Sequence, residues 1–243
     1  MPIIYKPKGK AGEYASLALN IYKGCTHGCK YCYGPDVMRC GRDKYFQDAN
    51  PKSYVIEQVE KEASRWGQVD NVPEILISFI GDPYQPEEEK LQLTRRVIEI
   101  LIANRLPFTI LTKGGRLARR DFDLLEGYPD ARFGVSLSVW RRLYADFWEP
   151  NAPRPEHRVI ALSEAKARGI KTWVSLEPVI DPNEALFIIE AINHLVDHWK
   201  VGKLNHMPKV EKDVDWIRFR ETAIDLLEGL GADYYIKESL RGL

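Results

Sequence analysis

The chain is short of cysteine, of unbalanced charge and of long apolar runs, and each shortage excludes a class of protein. Only four cysteines occur in 243 residues, too few for a secreted disulfide scaffold of this size. Lysine plus arginine equals aspartate plus glutamate at 35 each, so the formal net charge is zero. A dedicated nucleic-acid binder usually carries a basic excess, because neutralising phosphates releases counterions. Tight nonspecific DNA binding is therefore disfavoured, although a local basic patch stays open. The most apolar run, 97–103, is broken by Glu99 and is far shorter than the roughly 20 residues that cross a bilayer. The start, Met1-Pro2-Ile3-Ile4-Tyr5-Lys6, offers neither the apolar stretch nor the cleavage site of a secretory signal. A cytoplasmic location with no membrane partner is expected. Low-complexity segments and solenoid-period repeats are also missing.

What is present suits one substantial core, with 44% hydrophobic residues. Apolar, β-branched runs mark strands at 16–22, 74–79, 108–112, 132–138, 172–176, 199–201 and 233–236. Amphipathic spacing, as in Leu93, Val97, Ile100 and Leu101, predicts helices over 54–66, 88–103, 156–167 and 184–196, with another near 216–227 and a short one after Leu117. Strand–helix alternation implies parallel βαβ units with right-handed crossovers. Six or seven strands fall short of a full eight-stranded barrel. The expected fold is α/β, a partial (β/α)6 TIM-type barrel with a cluster-binding loop after the first strand, and a doubly wound sheet is the alternative. Either places ligand chemistry at the C-terminal strand ends. The expected organisation is a single domain over 1–243: an arm at 1–15, a core barrel at 16–182, and a segment at 183–243 that closes the barrel or selects the substrate.

The first strand runs into Gly24-Cys25-Thr26-His27-Gly28-Cys29-Lys30-Tyr31-Cys32-Tyr33, spaced C-x3-C-x2-C. Thiolates are the ligands of iron–sulfur clusters, normally four of them. Three on one loop hold three irons of a cubane and leave the fourth open, which is what separates a reactive metal site from a closed one. Cys25, Cys29 and Cys32 are the candidate ligands, and Gly24 and Gly28 let the backbone fold closely around an inorganic core. The competing reading is a closed zinc site completed by His27 or Cys40, in a noncatalytic interaction protein.

Other candidates stand at strand ends. Gly81 and Asp82 open the turn Gly81-Asp82-Pro83-Tyr84-Gln85-Pro86, whose carbonyls can face a cofactor amino group; an ordinary turn is the alternative. Lys113, after Thr112, can reach a carboxylate or a ribose. Ser136 and Ser138 share a strand face by alternation. Arg158, at a helix start, would suit a carboxylate clamp, and Trp173 and Glu177 flank the end of the fifth strand. Each reads equally as ordinary packing or as solvated surface.

The cysteine spacing, with aromatic Tyr31 before the last cysteine, resembles the radical S-adenosylmethionine (SAM) superfamily. With the D-P-Y-Q-P turn, the T-K strand end, the Ser-bearing strand and E-P-x-x-P before an arginine, 16–182 resembles its spore photoproduct lyase and DNA repair photolyase-like branch. That resemblance implies a [4Fe–4S] cluster and SAM as cofactors. SAM is cleaved to methionine and a 5′-deoxyadenosyl radical, which abstracts hydrogen from a nucleic-acid base or DNA lesion. It further implies a one-electron reductant such as flavodoxin or ferredoxin, and lyase or repair chemistry. Tyr31, Gly81, Asp82, Lys113, Ser136, Ser138, Arg158 and Glu177 are the implied cofactor contacts, with Asp82 near the sulfonium. A small-molecule or peptide substrate is the rival within the enzyme class. Spore photoproduct lyases carry a C-terminal cysteine that returns hydrogen to the base. No cysteine follows Cys40 here, so Cys40 is the candidate hydrogen donor, with a structural thiol as the alternative. For nucleic acid, Lys6, Lys8 and Lys10 form a basic arm, and Trp140 with Arg141 and Arg142 pairs an aromatic with charge.

Overall fold

The computed structural model describes residues 2–205 and 207–243, apart from the side chain of Lys10. Among the described residues ten strands form: β1 Ile4–Tyr5, β2 Leu17–Leu19, β3 Tyr22–Lys23, β4 Asn50–Pro51, β5 Ile75–Ile77, β6 Phe108–Thr112, β7 Ala131–Ser136, β8 Lys171–Val179, β9 His198–Lys203 and β10 Tyr234–Ile236. Eight make one sheet in the order β1-β2-β5-β6-β7-β8-β9-β10. In that sheet β2 and β5 to β10 run parallel, and β1 lies antiparallel on the edge. From β2 to β9 this is the expected six-strand partial barrel, with β10 added as a seventh parallel strand.

Alternation sorts the side chains into two layers. Ile75, Ile77, Phe108, Ile110, Phe133 and Val135 join the main core with Val59, Ala63, Val97 and Leu101 from the helices Val55–Trp66 and Leu93–Ala103. On the other side, Ala18, Leu76 and Trp173 form a smaller buried cluster, with Tyr14, Phe79 and Leu111 packed on it. Trp173 belongs to this inner plug, and its indole Nε1 donates to the Ile110 carbonyl at 3.1 Å.

Two expected elements are interrupted, each by a buried polar residue with fixed partners. The strand expected over 16–22 divides at Asn20, whose carbonyl oxygen accepts the N–H groups of Phe79 and Ile80 at 2.8 and 3.0 Å. Beyond it, β3 pairs with β4 instead. The helix expected over 88–103 divides into Glu88–Leu91 and Leu93–Ala103 at Gln92, where φ is 48°. There the buried Glu88 carboxylate accepts the Thr94 N–H at 2.9 Å and pairs with Arg120 at 3.2 Å. Conversely, β8 and β9 outrun the expected 172–176 and 199–201.

Lys200 on β9 carries a charge into this interior. Its ammonium donates to the Tyr14 carbonyl at 2.6 Å and lies 5.6 Å from the Trp173 ring centroid. Burial, reinforced by Arg132, lowers its pKa to about 8. The unfolded chain thus binds more protons than the folded one between about pH 8 and the ordinary lysine value near 10.4. The contribution of Lys200 to stability therefore rises with pH through that window. The thermal midpoint of wild type relative to Lys200→Met is expected to climb between pH 8 and 10; a difference independent of pH counts against the buried charge.

Candidate active site

The C-terminal ends of β5 to β10 surround a cavity of about 660 Å3. Cys25, Cys29 and Cys32 line one side of it, with Tyr31, Gly81, Asp82, Lys113 and Ser136 around them. Glu177, Lys203, Leu204, Asn205 and Lys237 also line it. Of the sequence candidates for cluster, cofactor and hydrogen-donor roles, Ser138, Arg158, Cys40 and Trp173 are not among the lining residues.

The cysteine loop is held by backbone geometry. Gly24 sits at φ 95° and Gly28 at φ 68°, values that side chains strain to reach. A Cβ on Gly24 would also come within 2.7 Å of the Tyr45 carbonyl. The Gly34 N–H donates to Cys32 Sγ at 3.3 Å, and the amides of His27 and Asp82 donate to the Cys25 sulfur. Burial pushes all three thiols up, Cys29 to about 12. Without metal they stay protonated, and a cation is needed to hold them as thiolates. Among the described residues no three His, Cys, Asp or Glu side chains gather closely enough for a single metal ion. A cubane asks for wider spacing, since each thiolate takes its own iron. The thiol set therefore fits a cluster. His27 adds an orphan: it is 2% exposed, with Nδ1 3.7 Å from Asp82 and Nε2 without a partner among the described residues.

Asp82 ties this loop to β6. Its carboxylate accepts from the Tyr84 N–H at 2.9 Å, the Thr112 hydroxyl at 2.5 Å and the Lys113 N–H at 2.6 Å. The Gly81 carbonyl accepts the Ser78 hydroxyl at 2.5 Å, which leaves it one lone pair toward the cavity. Glu177 accepts the Tyr14 phenol and pairs with Lys237 at 3.0 Å, on a wall completed by β8 and by the residues that follow β9 and β10.

Three placements depart from the sequence reading. Arg158 is 0% exposed and lies behind the cavity, its guanidinium given to Glu149 and to the carbonyls of Ser136 and Pro153. Ser138 follows the end of β7, where strand alternation with Ser136 no longer applies, and it is buried outside the cavity wall. Cys40 follows the helix Gly34–Met38 with its N–H on the Pro35 carbonyl, so its position lends the hydrogen-donor role no support. The surface residues are also engaged. Arg141 pairs with Asp181 and Glu184, and Trp140 packs on Phe187. Lys6 and Lys8 are exposed, and the Lys10 side chain lies outside the described set.

Sequence reasoning missed the brace behind the loop. The Trp148 carbonyl accepts Lys30 N–H at 2.9 Å, the Asn151 N–H donates to the His27 carbonyl at 3.1 Å, and Glu149 accepts the Tyr31 hydroxyl. It also missed Arg42, whose guanidinium donates to the carbonyls of Cys29, Lys30 and Cys32 at 2.9–3.0 Å. Arg42 is exposed, so Arg42→Ala should cost the fold only about 1 kcal/mol while loosening the loop. Iron loss to a chelator is expected to quicken severalfold with the thermal midpoint nearly unchanged; an unaltered loss rate would show that the three bonds do not restrain the loop.

A family model for the radical SAM superfamily matches residues 19–196. An uncharacterized protein, ORF301 of Acidianus two-tailed virus, is 29% identical over 199 residues, covering 75% of this chain and 62% of that protein. Uncharacterized protein MJ0683 of Methanocaldococcus jannaschii is 27% identical over 176 residues, covering 68% and 61%. The chain thus spans about six-tenths of the length of these relatives. Among solved structures, spore photoproduct lyase complexed with a dinucleoside spore photoproduct superposes with a TM-score of 0.71 at 14% identity, covering 98% of this chain and 79% of that one. Streptococcus suis SuiB bound to SAM gives 0.66 at 14% identity, covering 90% and 50%. These two show a shared fold. With the matched span, the parallel half-barrel and the three thiols at its mouth, the chain belongs to the radical SAM superfamily, with a [4Fe–4S] cluster and SAM as its cofactors.

Proposed function

We propose that this chain uses its cavity to form a carbon radical on a nucleic-acid base or DNA lesion. The observation that carries the reading is the convergence of Cys25, Cys29 and Cys32 with a polar wall around one cavity at the strand ends. The three cysteines would hold the cluster, and SAM would lie between them and the β5–β7 ends. Bound there, the two cofactors supply a one-electron cleavage that yields methionine and a 5′-deoxyadenosyl radical. Gly81 and Asp82 are suited to accept from the amino end of SAM. Lys113 and Ser136 are suited to donate to its carboxylate and ribose. Tyr14, Ser175, Glu177, Lys203 and Lys237 face the remaining space with both donors and acceptors, as a base edge requires. Phe79 and Leu111 keep water from it.

The choice of a base draws on the branch resemblance and on the extent of the superposition with spore photoproduct lyase, 98% of this chain. SuiB has been seen bound to a precursor peptide, and a peptide is accordingly one arm of the test. Anaerobically reconstituted protein, reduced by flavodoxin or dithionite, is given SAM with an ultraviolet-irradiated thymine-rich oligonucleotide, the unirradiated oligonucleotide or a peptide. 5′-Deoxyadenosine is expected in every arm, with several-fold stimulation by the irradiated strand. No 5′-deoxyadenosine at all ends the catalytic reading. Formation indifferent to the oligonucleotides, or stimulated by the peptide instead, ends the nucleobase assignment.

A further inference from the structure

Beside the thiols lies a row of charge whose inner members, Glu149 and Arg158, the reaction as read above leaves unexplained. Glu149 is 2% exposed and Arg158 0%. Glu149 takes the Arg158 guanidinium on one carboxylate oxygen and the Tyr31 hydroxyl on the other. Lys113 lies over the same Tyr31 ring, 5.5 Å from its centroid. The row therefore runs Lys113, Tyr31, Glu149, Arg158, and the charges of Lys113, Glu149 and Arg158 all act on Cys29. Burial works against the Lys113 charge, yet Cys29, where it is a thiolate, and Glu149 hold its pKa above the usual value. For Glu149, burial is outweighed by Arg158 and Lys113, which hold the carboxyl below its usual range.

Asp82 adds an anion on the Cys25 side, while within the row two cations and one anion leave a single positive charge. Stability gives little reason for it, because buried ion pairs can often be replaced by apolar groups at no cost. A neighbouring anionic centre does gain. Three thiolates around an iron–sulfur cubane form such a centre, and it becomes one charge more negative on reduction. Nearby charge is among the established levers on cluster potentials.

We propose that Lys113, Glu149 and Arg158 set how readily the cluster at Cys25, Cys29 and Cys32 accepts its electron. Lys113 and Arg158 favour the reduced state, and Glu149 opposes it while anchoring Tyr31. The electron comes from a one-electron donor of the flavin or iron–sulfur class; it adds to the cluster, and no bond or proton of the row changes. The inference rests on the cluster reading of the site.

The test is an anaerobic redox titration of the reconstituted holoprotein without SAM, followed by visible absorbance and electron paramagnetic resonance, after iron and sulfide have been counted. At fixed poise, the reduced-to-oxidised ratio is expected to fall roughly tenfold in Lys113→Met and to rise roughly tenfold in Glu149→Gln, each about 59 mV for a one-electron couple. Opposite signs are the signature, since a role limited to holding the loop would weaken cluster retention in both variants and separate their potentials in neither direction. Normal cluster content with unmoved potentials, or with both moved the same way, overturns the proposal. Should Glu149→Gln fail to fold by circular dichroism, Lys113→Met decides alone: a fall restored by Lys113→Arg supports the proposal, and no fall defeats it. Wild type that takes up no iron and sulfide defeats the cluster reading itself, and the proposal with it.

Discussion

Alanine at any one of Cys25, Cys29 or Cys32 is expected to bring 5′-deoxyadenosine formation below detection and iron from about four per chain toward background, while Cys40→Ala leaves both within about twofold of wild type. The asymmetry follows from position. All three sulfurs line one cavity, and those of Cys25 and Cys32 receive backbone N–H groups, as thiolate ligands need. Cys40 lies beyond the helix Gly34–Met38 and outside that wall. Each thiolate of a cubane holds a separate iron, so removing one opens a second vertex and the cluster is lost rather than weakened. A closed zinc site completed by Cys40 would give the reverse result, with one zinc per chain in wild type and loss of metal in Cys40→Ala. Metal and sulfide analysis of the four variants separates the two outcomes.

The cysteine motif is legible in the sequence because it is local: ligand identity, spacing and the glycines at φ 95° and 68° all fall within ten residues. The parallel half-barrel is legible for a similar reason, since each buried strand is a short apolar run and each helix carries its own period. What escapes is long-range. Tyr31 meets Glu149 across 118 residues of chain, and no local pattern announces that a tyrosine in a cluster loop will bond a carboxylate so far away. Arg158 illustrates the same limit. Its residue type suggests a ligand clamp, but whether a guanidinium faces a cavity or a buried carboxylate depends on how the turn 148–153 folds back. Asn20 and Glu88 break their elements because each finds backbone partners elsewhere in the chain or across a helix break, and periodicity cannot register such partners.

Arg158→Met is expected to be the most destabilising single substitution around the site, at about 3–5 kcal/mol. That corresponds to a fall of roughly 10 °C in thermal midpoint for a chain of this size. The loss comes less from the missing guanidinium than from Glu149, left fully buried with only the Tyr31 phenol and the more distant Lys113 field to hold its charge. The pH dependence distinguishes this cause from simple repacking. In wild type the folded pKa of Glu149 lies below its unfolded value, so its contribution is complete above the unfolded pKa near 4.3 and is lost as pH falls through the lowered folded value. Without Arg158, burial dominates and the folded pKa rises above the unfolded one. The variant then binds more protons folded than unfolded, and its stability falls as pH rises through that interval. Arg158→Met should accordingly regain part of its deficit on acidification toward pH 5, whereas wild type gains nothing there. Adding Glu149→Gln should remove the pH dependence and recover part of the midpoint. A deficit constant from pH 5 to 8, undiminished in the double variant, would mean that lost packing and not a stranded carboxylate is what Arg158 prevents.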